Sequence, residues 1–202
     1  MSRIGELQRL IDKTAENVVQ LLVGKGEKIA CAESCTGGLI SAAVTSVIMV
    51  MQYGTEATVC ISMIPAMLSP RPTFSSIICT YAVSAKEKFI GVPPQTIEKY
   101  GVVSAETASA MADGVRKTAG SDIGISVTGV AGPTGGTADT PVGTVYVGLS
   151  TKDRTQARLV YTDPALSGDE NAREYIRKST VLAALRWAAE EIRTEQEQHD
   201  RA

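Results

Sequence analysis

The sequence has very little histidine. Its single imidazole, His199, lies three residues from the end of the 202-residue chain, in the polar stretch EQEQHDRA. A Ser-His-Asp or Cys-His hydrolase needs an imidazole that is held by packing beside its nucleophile, and a polar terminal stretch does not provide that packing. Zinc sites built on several histidines are excluded for the same reason. Any hydrolytic chemistry in this protein therefore needs another base.

Aromatic residues and excess positive charge are also scarce. Phe, Trp and Tyr make up 4% of the chain, too few to form a surface on which nucleic-acid bases stack. Twenty Lys and Arg against 22 Asp and Glu give a net charge of −2, so no basic surface would attract phosphate backbones. The composition excludes nucleic acid as the partner and favours a small molecule.

The chain also lacks paired cysteines and long hydrophobic runs. Its four cysteines form no C-x-x-C pair, and no signal segment opens the chain, which favours the reducing environment of the cytoplasm. The most apolar stretch, residues 47–68, is interrupted by polar residues, glycine and proline, so it does not predict a membrane span. We expect a cytoplasmic protein without a membrane partner, a metal or another cofactor.

The hydrophobic pattern predicts a single domain over residues 1–193, followed by a polar, disordered tail over residues 194–202. Apolar spacing predicts helices over residues 5–22, 39–47, 104–117 and 175–192. Short apolar runs predict strands over residues 28–32, 123–127, 142–149 and 158–161. Because strands alternate with helices and a hairpin follows, we expect a three-layer α/β/α sandwich with a mixed β-sheet.

Two loops carry candidate functional residues. The motif AESCTGG, residues 32–38, joins a predicted strand to a predicted helix and places Ser34 where a nucleophile can face solvent. Composition alone would make Ser34 a helix cap. The second loop, TGVAGPTGG at residues 128–136, is rich in glycine but matches neither the dinucleotide fingerprint nor the phosphate-loop motif, so a purely structural role is as well supported.

Several motifs occur in the order seen in one protein family. AESCTGG is followed by TYAVSAK, then by GV and GVVS, and finally by VTGVAGPTGG with PVGTVYVGL. In this order they resemble the C-terminal domain of the competence/damage-inducible CinA proteins. That family includes nicotinamide-nucleotide amidohydrolases, which convert nicotinamide mononucleotide to nicotinic acid mononucleotide and ammonia. The resemblance implies this activity, with a pyridine mononucleotide as the partner.

The resemblance also implies a catalytic set that needs no histidine. The family's serine, tyrosine and lysine correspond to Ser34, Tyr81 and Lys86. A desolvated lysine amine beside a serine hydroxyl can replace the imidazole as a base. Such a lysine needs its pKa lowered from about 10.4 to near 7 by burial or a neighbouring cation. Whether Lys86 or Tyr81 is the base stays open.

Substrate binding is implied for three segments. The N–H groups of the first loop would hold the oxyanion, and its residues are Cys35, Thr36, Gly37 and Gly38. The phosphate would bind to the glycine-rich loop, at Thr128, Gly129 and Gly132. An arginine at the start of the last helix would assist, and of the two that follow Gly168-Asp169 we prefer Arg177 to Arg173.

The sequence departs from the family between the first two motifs. Residues 48–78 form an atypical insertion without the family's markers, and Ala82, Val83 and Ser84 stand where the family has Ser, Asn and Glu. We therefore expect the insertion to project as a loop from an otherwise continuous sheet. The alternative to an enzyme is a non-catalytic nucleotide-binding or regulatory protein of the same family, and a purely structural domain is a third reading. A homodimer is compatible with all three.

Overall fold

The computed structural model describes residues 2–47, 74–162 and 171–200, which form six helices and five strands. The helices are α1 (Arg3–Lys25), α2 (Leu39–Thr45), α3 (Val83–Ile90), α4 (Pro94–Tyr100), α5 (Ala105–Ala119) and α6 (Ala172–Asp200). The strands are β1 (Ile29–Glu33), β2 (Phe74–Cys79), β3 (Ile123–Gly129), β4 (Thr144–Ser150) and β5 (Thr155–Tyr161).

The five strands form one mixed sheet in the order β2-β1-β3-β4-β5. β1 runs parallel to both β2 and β3, whereas β4 and β5 form the antiparallel hairpin that the sequence predicts. All five residues of β1 are buried, as expected for a central parallel strand that is covered on both faces.

Helices cover both faces of the sheet. One face packs against α1, α2 and α6 in a large apolar cluster that includes Val18, Ile125 and Leu185. The other face packs against α3, α4 and α5 in a second cluster that includes Ala32 and Met111. The predicted three-layer α/β/α sandwich with a mixed sheet is therefore confirmed.

Two strand glycines allow α5 to lie unusually close to the sheet. A Cβ atom on Gly124 would lie 2.2 Å from the carbonyl oxygen of Ala112, and one on Gly148 would lie 2.3 Å from that of Ala108. Both distances are too short for a side chain, and the opposing atoms are backbone. These glycines therefore fix the spacing between α5 and the strands that lead to the site.

The predicted C-terminal end of the last helix needs correction. Helix α6 continues to Asp200, so residues 194–200 are helical rather than a disordered tail. The residues after Ile192 are mainly Glu, Gln and Arg, which are good helix formers. The ammonium group of Lys25, at the end of α1, also lies 3.4 Å from the Glu195 carboxylate and pairs with this extension.

The predicted insertion also needs correction at its end. Residues 74–78 belong to β2, which pairs with β1 through contacts such as Ile78 with Ala32. This edge strand is set by pairing with a neighbour distant in sequence, and the short run FSSIIC gives no clear pattern of its own. The other residues predicted as an insertion, 48–73, lie outside the described residues. Within the described ranges, no helix is long and apolar enough to cross a membrane.

Candidate functional site

The motifs meet at one edge of the sheet. Strands β1, β2 and β3 are parallel, so their carboxyl ends lie side by side. The loop with Ser34 follows β1, the pair Thr80-Tyr81 follows β2, and the glycine-rich loop follows β3. In α/β folds, ligands bind at this end of parallel strands. The tertiary structure thus gathers three segments that are far apart in sequence.

The loop after β1 has a backbone that requires glycine. Gly37 and Gly38 have φ angles of 59° and 92°, and Gly38 is the N-cap residue of α2. The Gly37 N–H donates to the Ser34 carbonyl over 3.1 Å, which closes a tight turn around the serine. Ser34 is half-buried in this turn. Side chains are strained at such φ values, so the two glycines hold Ser34 in place.

The Glu33 carboxylate stabilises the loop by binding the start of α2. Its side chain is fully buried, and its carboxylate accepts N–H groups from Gly38, Ile40 and Ser41 at 2.9, 3.2 and 2.9 Å. The Ser41 hydroxyl also donates to it over 2.6 Å. The N–H groups at the start of α2 therefore already donate to a carboxylate of the protein itself.

This arrangement corrects the predicted oxyanion donors. The N–H groups of Gly37 and Gly38 already donate to Ser34 and Glu33, so they cannot serve a substrate at the same time. The N–H groups of Cys35 and Thr36 are left as candidates, and they lie directly after Ser34. Glu33 was not among the residues predicted from the sequence, because a carboxylate six residues before the first residue of α2 matches no local capping pattern.

We expect Glu33→Gln to lower the free energy of unfolding by about 2–3 kcal/mol. The amide would present N–H donors to groups that are themselves donors. Chemical unfolding followed by circular dichroism measures the change. Glu98→Gln, at an exposed position on α4, is the control and should stay within about 0.5 kcal/mol of the wild type. Equal stabilities of the two variants would contradict the role of Glu33.

Lys86 is the only lysine among the buried charged side chains of the described residues. It lies in the first turn of α3 and is fully buried. Its ammonium group donates to the carbonyl oxygen of Tyr81 over 3.2 Å and to that of Thr80. Burial lowers the pKa of Lys86, and a neighbouring Cys35 thiol opposes that shift. A lysine that acts as a base requires a pKa lowered in this way.

The segments of Ser34 and Lys86 are joined by the backbone. Glu33 pairs with Cys79 at the ends of their strands, and the Thr80 N–H donates to the Glu33 carbonyl over 2.9 Å. Ser34 and Thr80 each directly follow one member of this pair, and the Lys86 ammonium group donates to the carbonyl of Thr80. The third predicted catalytic residue differs, because 81% of Tyr81 is exposed to solvent. Its side chain is therefore not held by packing as that of the fully buried Lys86 is.

Two arginines connect helix α6 to the loops. Arg177 donates from Nη2 to the Thr36 carbonyl over 2.7 Å, and Arg173 donates from Nη1 to the Gly132 carbonyl over 2.5 Å. The residues Gly168-Asp169, which precede both arginines in the sequence, lie outside the described residues. Arg177 therefore lies at the serine loop and Arg173 at the glycine-rich loop, and the preference for Arg177 as the phosphate ligand stays a prediction.

Cys35 lies among these charges but is not a competing nucleophile. Burial raises the pKa of its thiol to about 11, although the positive charges of Arg173 and Arg177 oppose the shift. The thiolate, which is the reactive form, is therefore scarce near neutral pH.

The phosphate role predicted for Thr128 needs correction. Its hydroxyl donates to the carbonyl oxygen of Val102 over 2.7 Å, so the proton that a phosphate would need is already engaged. Gly129 ends β3 beside Val145, where a Cβ atom would lie 2.6 Å from the Val145 Cα, and this explains the glycine by strand packing. Of the three residues predicted in the glycine-rich loop, Gly132 is the one that accepts a hydrogen bond from an arginine.

Some buried polar atoms at this edge have no hydrogen-bond partner. Among the described residues, five buried side-chain atoms lack one, and three of them are Thr36 Oγ1, Thr80 Oγ1 and Arg177 Nε. A buried polar atom without a partner costs about 1–3 kcal/mol, so such atoms normally find one. Their occurrence in the segments around Ser34 and Lys86 marks this edge as the candidate site.

Curated relatives are similar in sequence to most of this chain. It is 43% identical over 175 residues to a putative competence-damage inducible protein of Alkaliphilus metalliredigens, covering 86% of this chain and 36% of that protein. It is 40% identical over 170 residues to a CinA-like protein of Kosmotoga olearia, covering 84% of this chain and 35% of that protein. The chain thus spans little more than a third of the length of these relatives.

Solved structures share the fold. The competence/damage inducible protein of Agrobacterium tumefaciens matches with a TM-score of 0.70 and 28% identity, over 88% of this chain and 93% of that one. A CinA superfamily protein of Escherichia coli matches with a TM-score of 0.67 and 27% identity, over 87% and 86% of the two chains. The family model of the CinA C-terminal domain matches residues 11–63 and 70–192. Since that match includes the strand ends and loops that build the site, this chain belongs to the CinA C-terminal domain family.

Proposed function

We propose that this protein is a nicotinamide-nucleotide amidohydrolase, which hydrolyses nicotinamide mononucleotide to nicotinic acid mononucleotide and ammonia. The observation that carries the proposal is Lys86. It is a fully buried lysine with a lowered pKa, and it is bound to the backbone beside the loop of Ser34. A chain whose one histidine is near its end needs such a base, and members of its family have this activity.

The first step is attack by Ser34. Its Oγ forms a bond to the carboxamide carbon while its proton passes to the neutral amine of Lys86. Two N–H groups of that amine are held by the carbonyl oxygens of Thr80 and Tyr81. The remaining position on the nitrogen carries the lone pair that accepts the proton. The backbone of residues 80–81 thus orients the base.

The second step releases ammonia. The protonated Lys86 returns the proton to the carboxamide nitrogen, the C–N bond breaks, and an acyl-enzyme remains on Ser34. Water then attacks the ester carbon and gives its proton to Lys86. Nicotinic acid mononucleotide leaves as Ser34 regains its proton. In both tetrahedral states, the N–H groups of Cys35 and Thr36 would hold the negative oxygen.

Arg177 is proposed to bind the phosphate. Its guanidinium reaches the serine loop at Thr36, and its Nε is buried without a partner among the described residues. A planar guanidinium with an unused N–H suits a phosphate oxygen.

We expect Arg177→Ala to raise the Michaelis constant for nicotinamide mononucleotide by about 10- to 100-fold, with a smaller effect on kcat, because it removes a charge-assisted hydrogen bond. Steady-state ammonia release measures both constants. Turnover of nicotinamide riboside, which has no phosphate, should change little. Arg186→Ala, at an exposed position of the same helix, is the matched control. Equal losses with both substrates would assign Arg177 to the shape of the loop rather than to phosphate binding.

One observation favours the non-catalytic alternative. The Tyr81 side chain is largely exposed, and the residues after it differ from the family motif. A nucleotide-binding or regulatory protein would keep the loops and arginines without turnover. Ammonia release by the purified chain, dependent on nicotinamide mononucleotide, tests the enzymatic proposal. Binding of the mononucleotide in calorimetry without any ammonia would establish the alternative.

A further inference from the structure

The motif GVVS at residues 101–104 has no part in the reaction proposed above. Its first three residues, 101–103, connect α4 to α5 and are called the valine loop below. Side-chain hydroxyls hold this loop at two carbonyl groups. The Gly101 carbonyl accepts from Thr107 over 2.7 Å and from Ser104 over 3.0 Å, and the Val102 carbonyl accepts from Thr128 over 2.7 Å. The valine loop is therefore tied both to α5 and to the carboxyl end of β3.

The register of the sheet places the valine loop beside Ser34. Glu33, directly before Ser34, pairs with the last residue of β2 and with the fifth residue of β3. The next residues on those two strands are Thr80 and Thr128. The carbonyl of Thr80 is bound by Lys86, and the hydroxyl of Thr128 is bound to the valine loop. Lys86 and the valine loop therefore flank Ser34 from opposite sides.

The valine loop is close enough to Ser34 to contact a bound substrate. Neighbouring strands lie about 4.8 Å apart, so the 2.7 Å hydrogen bond of Thr128 and standard bond lengths place the Cα of Val103 no more than about 13 Å from that of Ser34. Thr128 points to the face covered by α5, because Ser126, two positions earlier on the strand, donates to the Ala108 carbonyl of α5. Lys86 reaches the same end of the sheet from α3, on that face.

Val103 has an apolar side chain that core packing does not explain. Its neighbour Val102 packs against the second apolar cluster, whereas Val103 is half-buried and belongs to neither of the clusters formed by the described residues. The carboxamide carbon that Ser34 attacks is bonded directly to the pyridine ring, so the ring must lie next to Ser34. The ring has apolar faces, whereas the ribose and the phosphate are polar. An apolar side chain at this place therefore suits the ring.

We propose that Val103 forms the side of the substrate site opposite Lys86 and contacts the pyridine ring, an inference that rests on the proposed function. In this position Val103 holds the ring with its carboxamide carbon towards Ser34 Oγ. Val103 is a specificity-determining residue, because it distinguishes ligands by their ring and not by their phosphate.

The first test uses the full chain with Val103→Ala. The loss of two methyl groups should raise the Michaelis constants for nicotinamide mononucleotide and nicotinamide riboside by the same factor, about 5- to 20-fold, with kcat within about threefold. Arg177→Ala differs, because it should affect the mononucleotide alone. Thermal unfolding should stay within about 3 °C of the wild type, since Val103 lies outside both clusters. Unchanged Michaelis constants for both substrates would overturn the contact.

The matched control is Val23→Ala. Val23 is also half-buried, but it lies near the end of α1 that leads to the other end of β1. Both Michaelis constants should stay at their wild-type values in this variant. A rise in Val23→Ala equal to that in Val103→Ala would assign the effect to general loosening of the fold and overturn the contact.

A second test does not depend on the identity of the substrate. Phenylmethanesulfonyl fluoride carries an aromatic ring, and methanesulfonyl fluoride carries a methyl group in its place. With either reagent the sulfur bonds to Ser34 Oγ, fluoride leaves, and the serine proton passes to Lys86. In Val103→Phe the new side chain fills the space of the ring, so labelling by the aromatic reagent should fall about 50-fold while labelling by the methyl reagent stays within about threefold. Intact-protein mass spectrometry measures both rates.

The ratio of the two labelling rates decides the proposal. It should keep its wild-type value in Val23→Phe, and Ser34→Ala should take up neither reagent. If Val103→Phe changes the ratio as expected but the wild type releases no ammonia from nicotinamide mononucleotide, the ring contact stands and the proposed substrate is wrong. An unchanged ratio in Val103→Phe would overturn the contact whatever the substrate. A wild type that neither reagent labels would overturn both Ser34 as the nucleophile and the site that Val103 borders.

Discussion

Ser34→Ala is expected to reduce ammonia release from nicotinamide mononucleotide by about 10⁴-fold or more. The variant removes the oxygen that forms the acyl-enzyme, and no other described side chain can replace it. Cys35, the neighbouring nucleophile, is buried with its pKa raised to about 11. The loop should keep its shape, because its turns and the contacts of Glu33 with α2 use other atoms.

Binding should survive the same substitution. The loss of one hydroxyl should change the dissociation constant for nicotinamide mononucleotide by less than about tenfold, or 1.4 kcal/mol. Isothermal titration measures this value, and a coupled ammonia assay measures turnover. Ser46→Ala, at an exposed position just after α2, is the control and should match the wild type in both. Turnover by Ser34→Ala within tenfold of the wild type would exclude an acyl-enzyme at this position.

Lys86→Met is expected to have an effect of similar size. Methionine fills much of the same volume but cannot accept a proton, so kcat should fall by about 10³-fold or more. Lys86→Arg should be equally inactive, because a guanidinium stays protonated at the working pH. Lys88→Met is the matched control, since Lys88 lies on the same helix with an exposed side chain, and it should retain full activity. Substantial turnover by Lys86→Met would assign the role of general base to Tyr81.

The pH dependence gives Lys86 an independent signature. Burial lowers its pKa, and only the neutral amine acts as a base, so kcat/KM should rise with pH through that lowered value. The folded state also binds fewer protons than the unfolded state between the lowered pKa and the ordinary value near 10.5. The free energy of unfolding contributed by this group therefore increases with pH across that interval. Both dependences should disappear in Lys86→Met, and their persistence would assign them to another group.

The sequence by itself determined those parts of the protein that depend on local pattern. The apolar spacing of α1 and α5 and the short buried runs of β1 and β3 follow from the periods of helices and strands. The position of Ser34 in a strand-loop-helix turn was equally readable, because glycines mark the positive φ angles there. The family followed from motifs in their order, and both the fold and the family are confirmed.

Only the tertiary structure decided what these segments do to one another. Strand β2 exists because it pairs with β1, and the helical extension after Ile192 contacts α1 through Lys25. The buried Lys86, the occupied start of α2 and the unpaired hydroxyl of Thr80 depend on that pairing and have no local signature. Thr128 shows the reverse. Its place in the loop suggested phosphate binding, but its hydroxyl already donates to the carbonyl oxygen of Val102. Burial and hydrogen bonding are properties of neighbours in space, and residues distant in the sequence become neighbours only when the sheet has formed.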